Sequence, residues 1–431
     1  MADHDLEDEL LNYEEVEPVA DIKQDKASLK GKGYVGTHSA AFRDFLLKPE
    51  IMRAINDNGF EHPSQVQQDC IPQALLGTDI ICQGKSGMGK TAVFVISVLQ
   101  QLDDHPTEGE IACLCIAPTR ELAFQICSEF KRFSVHMNNV KAFVIYGGIS
   151  IQAQINSLKQ EKPNIIIATP GRLLALLKDK HPVLDLSKVR FFVVDECDQV
   201  FENSAEGRKG NMKDDVEKIF RKLPQSKQTL LFTATMPESM KEICRKFTRN
   251  AAEVFVDDDK KLTLHGLQQF YIKLQPAEKN RKLIDILDNF TYNQVVIFVS
   301  EKRRAETLNN LLNECGYPSI AIHSKMAQPD RIKAFRSFKE FKKKILVSTD
   351  VFARGIDVER VNIVINYDLP NSTDTYLHRV GRAGRFGTKG LAISFVSTEE
   401  ENTMLNEIQK RFEVEIQDLP ATVDAGTYMN A

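Results

Sequence analysis

A glycine-rich stretch, GKSGMGKT at residues 84 to 91, has the residue types and spacing of a phosphate-binding loop. It matches the pattern G-x-x-x-x-G-K-[ST], with Gly84, Gly89, Lys90 and Thr91 at the fixed positions. The glycines let backbone N–H groups converge on phosphate oxygens at the start of a helix, whose dipole adds to the attraction. Lys90 would contact the β- and γ-phosphates, and the Thr91 hydroxyl would bind Mg²⁺. The strand-like DIICQ before the loop and the apolar AVFVISVL after it supply the setting that this motif requires.

An apolar stretch that ends on acids, FFVVDECDQVF at residues 191 to 201, is the second candidate for chemistry. Taken alone, its three carboxylates could form an ordinary polar turn at the end of a strand. Beside a phosphate loop, Asp195 is predicted to bind Mg²⁺ through water, and Glu196 to orient and deprotonate an attacking water. Together the two motifs predict a nucleoside-triphosphate hydrolase.

A basic motif, HRVGRAGRFG at residues 378 to 387, spaces Arg379, Arg382 and Arg385 three apart. On a helix or tight turn this spacing puts the three arginines on one face, where like charges repel. A solvated basic face is one interpretation. The other is a set of arginine fingers that stabilise the γ-phosphoryl group, which would require two parts of the chain to close together.

The elements that must position these motifs are short apolar strands alternating with helical patterns, typical of an α/β fold with a parallel sheet covered on both faces. The first series is DIICQ, ACLCIAP, KAFVIY, NIIIAT, RFFVVD and TLLFTAT; the second is QVVIFVS, PSIAIHS, KILVSTD, VNIVINYD and LAISFVS. Between them lies the polar break VDDDKKLTLHG, and IIIATPGR in the first series resembles ILVSTDVFARG in the second. We therefore predict two domains, 39–257 and 268–420, with a linker at 258–267, a disordered acidic tail at 1–38 and a C-terminal tail at 421–431.

Charge is distributed unevenly along the 431 residues. Residues 1 to 25 hold ten acids and one base, so the remaining sequence has 55 bases against 50 acids despite a net charge of −4. The body can bind polyanions locally, while the tail is either a solvated segment or a docking site for a partner. Eight cysteines without a CxxC pair, and no apolar run near about 18 residues, predict an intracellular protein without disulfides, zinc or a membrane span.

The motifs in their order resemble those of the DEAD-box RNA helicase family. They are GFEHPSQVQ at 59–67, the phosphate loop, PTREL at 118–122, GG at 147–148, TPGR at 169–172, DECD at 195–198, TAT at 233–235, STDVFARGID at 348–357 and HRVGRAGR at 378–385. DECD has Cys197 where alanine is usual, so the chain is most similar to the DECD-box subgroup, nuclear helicases of spliceosome assembly and mRNA export. The resemblance implies two tandem RecA-like domains, each a mostly parallel sheet flanked by helices.

The resemblance also implies a role for each motif residue. ATP would contact Phe60 (or Phe42), Gln67, Gly84, Lys85, Ser86, Gly87, Met88, Gly89, Lys90, Thr91, Gly355 and Asp357, with Gln67 reading adenine. Catalysis is assigned to Asp195, Glu196, Lys90, Arg382 and Arg385, and coupling to RNA is assigned to Asp198, Thr233 and Thr235. RNA would contact Pro118, Thr119, Arg120, Gly148, Thr169, Arg172, Gln328, Arg331 and Thr349, which are groups suited to phosphate and sugar rather than base edges.

The implied function is an ATP- and Mg²⁺-dependent RNA helicase, or RNA-stimulated ATPase, that closes on single-stranded RNA or a short duplex. The implied partners are splicing proteins and mRNA-export adaptors, in a monomeric nuclear protein that could shuttle to the cytoplasm. Two alternatives remain: an ATP-gated RNA clamp that recruits export partners, and a DNA translocase. For Cys197, an apolar filler is favoured over a redox role.

Overall fold

The apolar segments form two seven-stranded sheets in which every strand pair is parallel. The computed structural model of the chain describes residues 41–85, 87–178, 184–202, 211–255, 266–353, 358, 360–384 and 389–429. We call each sheet with its helices a lobe. The predicted tail at 1–38 and most of the predicted linker lie outside the described residues.

Lobe 1 contains seven strands and nine α-helices within the described ranges. Its strands are β1 (Ile80–Gln83), β2 (Cys113–Ile116), β3 (Ala142–Ile145), β4 (Ile165–Ala168), β5 (Phe191–Asp195), β6 (Gln228–Thr233) and β7 (Ala252–Phe255). Its helices are α1 (Pro49–Asp57), α2 (Gln65–Leu75), α3 (Lys90–Gln101), α4 (Arg120–Phe133), α5 (Ile151–Glu161), α6 (Pro170–Leu177), α7 (Cys197–Phe201), α8 (Met212–Phe220) and α9 (Glu238–Phe247). The strand order is β3-β4-β2-β5-β6-β1-β7.

Lobe 2 repeats this arrangement with seven strands and five α-helices in the part of the chain that is described. The strands are β8 (Leu267–Lys273), β9 (Gln294–Phe298), β10 (Ser319–Ile322), β11 (Ile345–Ser348), β12 (Val361–Asn366), β13 (Gly390–Val396) and β14 (Gln417–Asp418). The helices are α10 (Lys279–Asn289), α11 (Lys302–Glu314), α12 (Gln328–Lys339), α13 (Thr373–Val380) and α14 (Glu399–Phe412). The order β10-β11-β9-β12-β13-β8-β14 matches that of lobe 1 position by position.

The matching order explains the sequence similarity noted above, because IIIATPGR contains β4 and ILVSTDVFARG contains β11, which occupy equivalent places in the two sheets. Each sheet is covered on both faces. In lobe 1, Ile80 and Cys82 of β1 face one apolar cluster, whereas Ile81 faces another. Because successive side chains alternate between the faces, a strand buried on both sides must be apolar throughout.

The C-terminal residues extend lobe 2 beyond the predicted boundary at 420. Tyr428 is 1% exposed and packs with its ring centroid 6.1 Å from that of Phe290. Leu419 and Val423 contact the same apolar cluster. The segment 421–429, predicted as a tail, is therefore packed on lobe 2, with Tyr428 as its buried residue. At the other boundary, Leu267 already belongs to β8 rather than to the linker.

None of the helices in the described ranges is long and apolar enough to span a bilayer. All eight cysteines are free thiols, and seven of them are buried. Cys197 lies in the core of lobe 1 with its Sγ atom 3.9 Å from that of Cys244. Burial and the neighbouring Cys244 raise the pKa of the Cys197 thiol well above its usual range, which disfavours the reactive thiolate.

Candidate active site between the two lobes

The phosphate loop connects β1 to α3, as the sequence predicts. Gly87 and Gly89 have φ angles of +86° and +74°, values that favour glycine, and Gly89 begins α3. The Lys90 ammonium is buried and donates hydrogen bonds to the carbonyl oxygens of Gly84 at 2.5 Å and Lys85 at 3.0 Å. The lysine charge is therefore held inside the loop, where phosphate oxygens can replace the two carbonyls.

The acidic residues lie at the carboxyl end of β5, on the same edge of the sheet as the phosphate loop. Burial, together with the Glu196 charge, raises the pKa of the Asp195 carboxyl to about 7 against the opposing effect of Lys90. The Asp195 Oδ1 atom accepts a hydrogen bond of 3.0 Å from the Glu196 backbone N–H. Glu196 has a φ of +50°, a strained conformation for a residue with a side chain, and such strain is concentrated at functional sites.

This carboxylate pair fits a divalent cation. Two buried acids at adjacent positions repel, and the Glu196 Oε2 atom has no hydrogen-bond partner within the described ranges. Mg²⁺ prefers carboxylate and hydroxyl oxygens and water as ligands. By the resemblance, Asp195 and Thr91 are the residues that would hold the ion.

A series of buried polar contacts leads from β6 through the acidic motif to lobe 2. Thr233 Oγ1 accepts a hydrogen bond of 3.1 Å from the backbone N–H of Thr235, whose own hydroxyl donates to Asp198 Oδ2 at 2.7 Å. The same Asp198 oxygen lies 3.4 Å from Nε2 of His378 in lobe 2. Asp198, Thr233 and Thr235 thus lie together as the resemblance implies. His378 is a site residue missing from the predicted set, although it opens the HRVGRAGR motif.

The three motif arginines do not act alike. Arg382 is 2% exposed and lies just past the end of α13, where its Nε donates to the His378 carbonyl at 3.0 Å. Arg379 points into lobe 2: its Nε contacts Asp350 at 2.6 Å, and its Nη1 donates to the Asp368 carbonyl at 2.7 Å. The prediction of three arginines on one anion-binding face is therefore wrong for Arg379, which is an internal structural residue.

Three of the predicted RNA-binding arginines lie close together across the lobes. Burial, and then the charges of Arg331 and Arg172, lower the pKa of the Arg120 guanidinium. The Nη1 atom of Arg172 is buried and has no hydrogen-bond partner in the described structure. Arg331 was also predicted to contact RNA. It is instead buried and forms a two-point ion pair with Glu121 of α4, at 2.5 Å for both contacts. Sequence reasoning missed Glu121, although PTREL contains it.

Gln67 lies against the phosphate loop, but its amide is already engaged. Its Oε1 atom accepts from the Ser64 backbone N–H at 2.9 Å, in a capping box at the start of α2, and its Nε2 atom donates to the Gly89 carbonyl at 3.3 Å. The adenine-reading role therefore remains a prediction, and it would require this amide to exchange partners. Phe42 is 3% exposed and belongs to the core, whereas Phe60 is half-buried under the Arg132 guanidinium.

The remaining predicted residues divide into those at helix starts and those outside the description. Thr119 directly precedes α4, Thr169 directly precedes α6, Thr349 precedes a short 3₁₀ helix, and Gly148 has a φ of +96°. Pro118 directly precedes Thr119, while Lys85 and Met88 lie in the phosphate loop. Ser86, Gly355, Asp357 and Arg385, and the side chain of Gln328, lie outside the described residues.

A phosphate loop, an acidic strand end and arginines from a second, matching lobe define a nucleoside-triphosphate hydrolase built from two RecA-like lobes. Comparison with known proteins agrees. The family model for the DEAD/DEAH box helicase matches residues 64–243, and that for the helicase conserved C-terminal domain matches residues 278–387. The chain belongs to the DEAD/DEAH box helicase family, and it is an ATP-hydrolysing enzyme.

Relatives match over nearly the whole length. The chain is 55% identical to DEAD-box ATP-dependent RNA helicase 15 of Arabidopsis thaliana, covering 98% of this chain and 97% of the relative. It is 53% identical to ATP-dependent RNA helicase uap56 of Schizosaccharomyces pombe, covering 100% and 98%. Among solved structures, S. cerevisiae Dbp5 bound to RNA and ADP BeF3 superposes with a TM-score of 0.80 at 30% identity, covering 88% of this chain and 95% of that one.

Proposed function

We propose that the chain is an ATP-dependent RNA helicase that closes its two lobes on single-stranded RNA and thereby remodels short duplexes or RNA–protein complexes. The observation that carries this proposal is the 3.4 Å contact between Asp198 and His378, because it sets the arginine motif of lobe 2 against the acidic strand end of lobe 1. Nucleotide hydrolysis then depends on the same closure that sets Arg120 and Arg172, the candidate RNA contacts of lobe 1, close to Arg331 of lobe 2.

The residues divide the hydrolytic work. Lys90 neutralises phosphate charge as it leaves the carbonyls of Gly84 and Lys85. Glu196 accepts the proton of the attacking water, and its unpartnered Oε2 atom is free to do so. Arg382, and by resemblance Arg385, stabilise charge on the transferring phosphoryl group. Mg²⁺ on Asp195 and Thr91 would neutralise charge on the β- and γ-phosphates.

An ATPase assay with and without single-stranded RNA tests this assignment. Glu196→Gln should retain ATP and RNA binding but lose turnover, and Arg382→Ala should retain ATP binding but lose RNA-stimulated turnover. Normal hydrolysis by Glu196→Gln would refute the role of the base. Stimulation by single-stranded DNA equal to that by RNA would favour a DNA translocase instead.

A second candidate function is an ATP-gated RNA clamp in which strand separation is incidental. The buried Arg331–Glu121 pair favours it, because it stabilises the closed form by contacts that do not involve hydrolysis. Duplex unwinding and partner recruitment should be compared in the Glu196→Gln variant. Full recruitment without turnover would support the clamp, whereas loss of both would support the helicase.

We also propose a nuclear site of action, with splicing proteins and mRNA-export adaptors as partners and a monomeric functional unit. The DECD motif and the 53–55% identity to ATP-dependent RNA helicases over nearly the full length support this placement. Cross-linking of the tagged chain to RNA, with recovery from nuclear and cytoplasmic fractions, tests it. Recovery of cytoplasmic transcripts alone would contradict the nuclear role.

A further inference from the structure

A strongly basic surface on lobe 2 is not used by the active site. The segment 331–344 contains seven bases and one acid, Glu340. We call the following set the basic ridge: Lys333, Arg336 and Lys339 on α12, Lys342, Lys343 and Lys344 in the loop after it, and Arg360 before β12. Within the described ranges, Lys342 is the one member with an acidic partner, Glu340 at 2.6 Å.

The spacing along α12 makes this charge costly without an anionic partner, and the Arg336 guanidinium also lies 5.1 Å from the ring centroid of Phe124 in lobe 1. Lys333, Arg336 and Lys339 follow one another at intervals of three residues and are all exposed. Side chains three apart on a helix are neighbours, so these like charges repel. The whole chain carries a net charge of −4, and so the ridge is a local concentration of positive charge rather than a general property. A polyanion would relieve this repulsion.

An aromatic side chain lies within the ridge. The half-buried Phe341 ring has the Arg360 guanidinium 4.9 Å and the Lys344 ammonium 5.9 Å from its centroid. Aromatic rings that reach the surface among cations form the platforms on which single-stranded nucleic acids stack their bases, and the half-buried Phe341 ring is partly accessible.

The backbone at Phe341 makes this residue an unexpected choice. Its φ is +62°, in the left-handed region, at the position after the α12 terminus where glycine is usual. Its N–H donates to the Phe338 carbonyl at 3.0 Å and that of Lys342 to the Ser337 carbonyl at 2.9 Å, the pair of bonds that defines a Schellman motif. Leu46, Lys162 and Glu413 also end helices with a positive φ, but Phe341 is the aromatic residue of this group and its ring lies among cations.

Helix α12 connects the ridge to the proposed RNA site. Helix α12 begins at Gln328, and Arg331 lies at the lobe interface against Glu121. Its 12 residues extend about 18 Å, so Phe341 lies roughly five stacked nucleotides away at about 3.4 Å each. Phe341 and Arg360 precede β11 and β12, so they lie at the amino edge of the sheet, whereas Thr349 follows β11 at the carboxyl edge. RNA that contacts both Thr349 and Phe341 must therefore run along α12 from one edge to the other.

We propose that the basic ridge is a second contact site for single-stranded RNA, continuous with the cleft, in which one base stacks on Phe341. This inference rests on the proposed RNA-binding function. The acidic residues 1 to 25 of the chain could satisfy the charge of the ridge, but a carboxylate-rich segment gives no reason for a strained aromatic ring. RNA accounts for both the cations and the ring.

The test measures the RNA affinity of the full chain in the presence of a non-hydrolysable ATP analogue. A series of oligoadenylates is used, starting with the shortest one that binds and ending about five nucleotides longer. Phe341→Gly removes the ring and relieves the backbone strain, so the fold should be retained, which thermal unfolding checks. We expect unchanged affinity for the shortest oligonucleotide and a loss of about fivefold or more for the longer ones. Lys339→Gln combined with Lys344→Gln should lower the salt dependence for long RNA by about 1.4 in log–log slope.

A matched control combines Lys273→Gln with Lys410→Gln, which removes the same charge from exposed positions elsewhere on lobe 2. This control should retain wild-type salt dependence. Wild-type affinity of Phe341→Gly at every length would overturn the inference, as would an equal loss at every length. Binding of a peptide of residues 1–25 to the ridge, together with an effect of Phe341→Gly that does not depend on RNA length, would also overturn it. If the proposed RNA-binding function were itself wrong, the result would be different, because even the shortest oligonucleotide would then fail to bind the wild type.

Discussion

The ion pair between Glu121 and Arg331 should control closure of the two lobes. It joins α4 of lobe 1 to α12 of lobe 2, and the two side chains are 1% and 6% exposed. Glu121 is also the acid adjacent to Arg120, which lies near Arg172, so it balances several cations. The Glu121→Gln variant would leave the Arg331 guanidinium buried without a counter-charge.

The cost can be estimated from burial. Removing one partner of a buried ion pair costs about 3–5 kcal/mol, because the remaining charge is uncompensated. The lobes can avoid that cost by opening, which exposes Arg331 to water while each lobe stays folded. We therefore expect RNA affinity in the presence of a non-hydrolysable ATP analogue to fall by about 100-fold or more. Fluorescence energy transfer between dyes on the two lobes should report the open form.

Two further variants make the experiment decisive. Asp103→Asn breaks an exposed pair with Arg190, in which the side chains are 69% and 43% exposed, and should change affinity less than about fivefold. The double variant Glu121→Gln with Arg331→Gln removes both buried charges and should recover much of the loss if Arg331 acts through closure. No recovery would show that Arg331 contacts RNA directly. A Glu121→Gln affinity within about threefold of wild type would refute the reasoning.

Three other predictions follow from single contacts. Gly84→Ala should destabilise the chain by about 1–3 kcal/mol in denaturant unfolding, because the new Cβ would lie 2.8 Å from Val66 Cγ2. Adding Val66→Ala should reduce this loss of stability, whereas a wild-type unfolding midpoint for Gly84→Ala would disprove the close contact. Thr235→Val should lower RNA-stimulated turnover about tenfold, with ATP affinity unchanged, because it removes the hydroxyl that donates to Asp198. The control is Thr248→Val, which loses a hydrogen bond to the Cys244 carbonyl. Burial raises the pKa of Asp368, but hydrogen bonds from Arg304 and Ser300 and the Lys279 charge outweigh it and hold that pKa below its usual 3.8, so its stabilisation is present at neutral pH and lost in acid. Asp368→Asn should therefore be about 3 kcal/mol less stable than wild type at pH 7, with the difference shrinking as the pH falls below 3.8; a constant difference would contradict the ion-pair explanation.

Much of the fold was predictable because the central strands are buried on both faces. Eleven predicted segments are strands, from β1 to β6 and from β9 to β13. The strands β7, β8 and β14 were not predicted, since their residues are half-buried or exposed and polar residues interrupt the apolar pattern. A strand near the edge of a sheet lacks the uninterrupted apolar signal of a central strand.

The site was predictable where local sequence determines it and less so where the lobes meet. The phosphate loop needs only its own glycines and lysine, so its pattern identifies it. Glu121 and Arg331 are separated by 210 positions, and no local pattern predicts that they form an ion pair. The same limit applies to His378 and Asp198. For Arg379, the regular spacing concealed a difference in environment, because α13 ends at Val380 and directs the first arginine into the lobe.

The repeated strand order has a consequence for energy supply. Strand β8 occupies in lobe 2 the place that β1 has in lobe 1, yet the residues after it, LQPAEKN, contain no glycine and no loop that could wrap a triphosphate. The two lobes thus share one strand order, but among the described residues the phosphate loop belongs to lobe 1 alone. We therefore expect each closure to consume one nucleotide and to act on the RNA segment that is bound between the lobes.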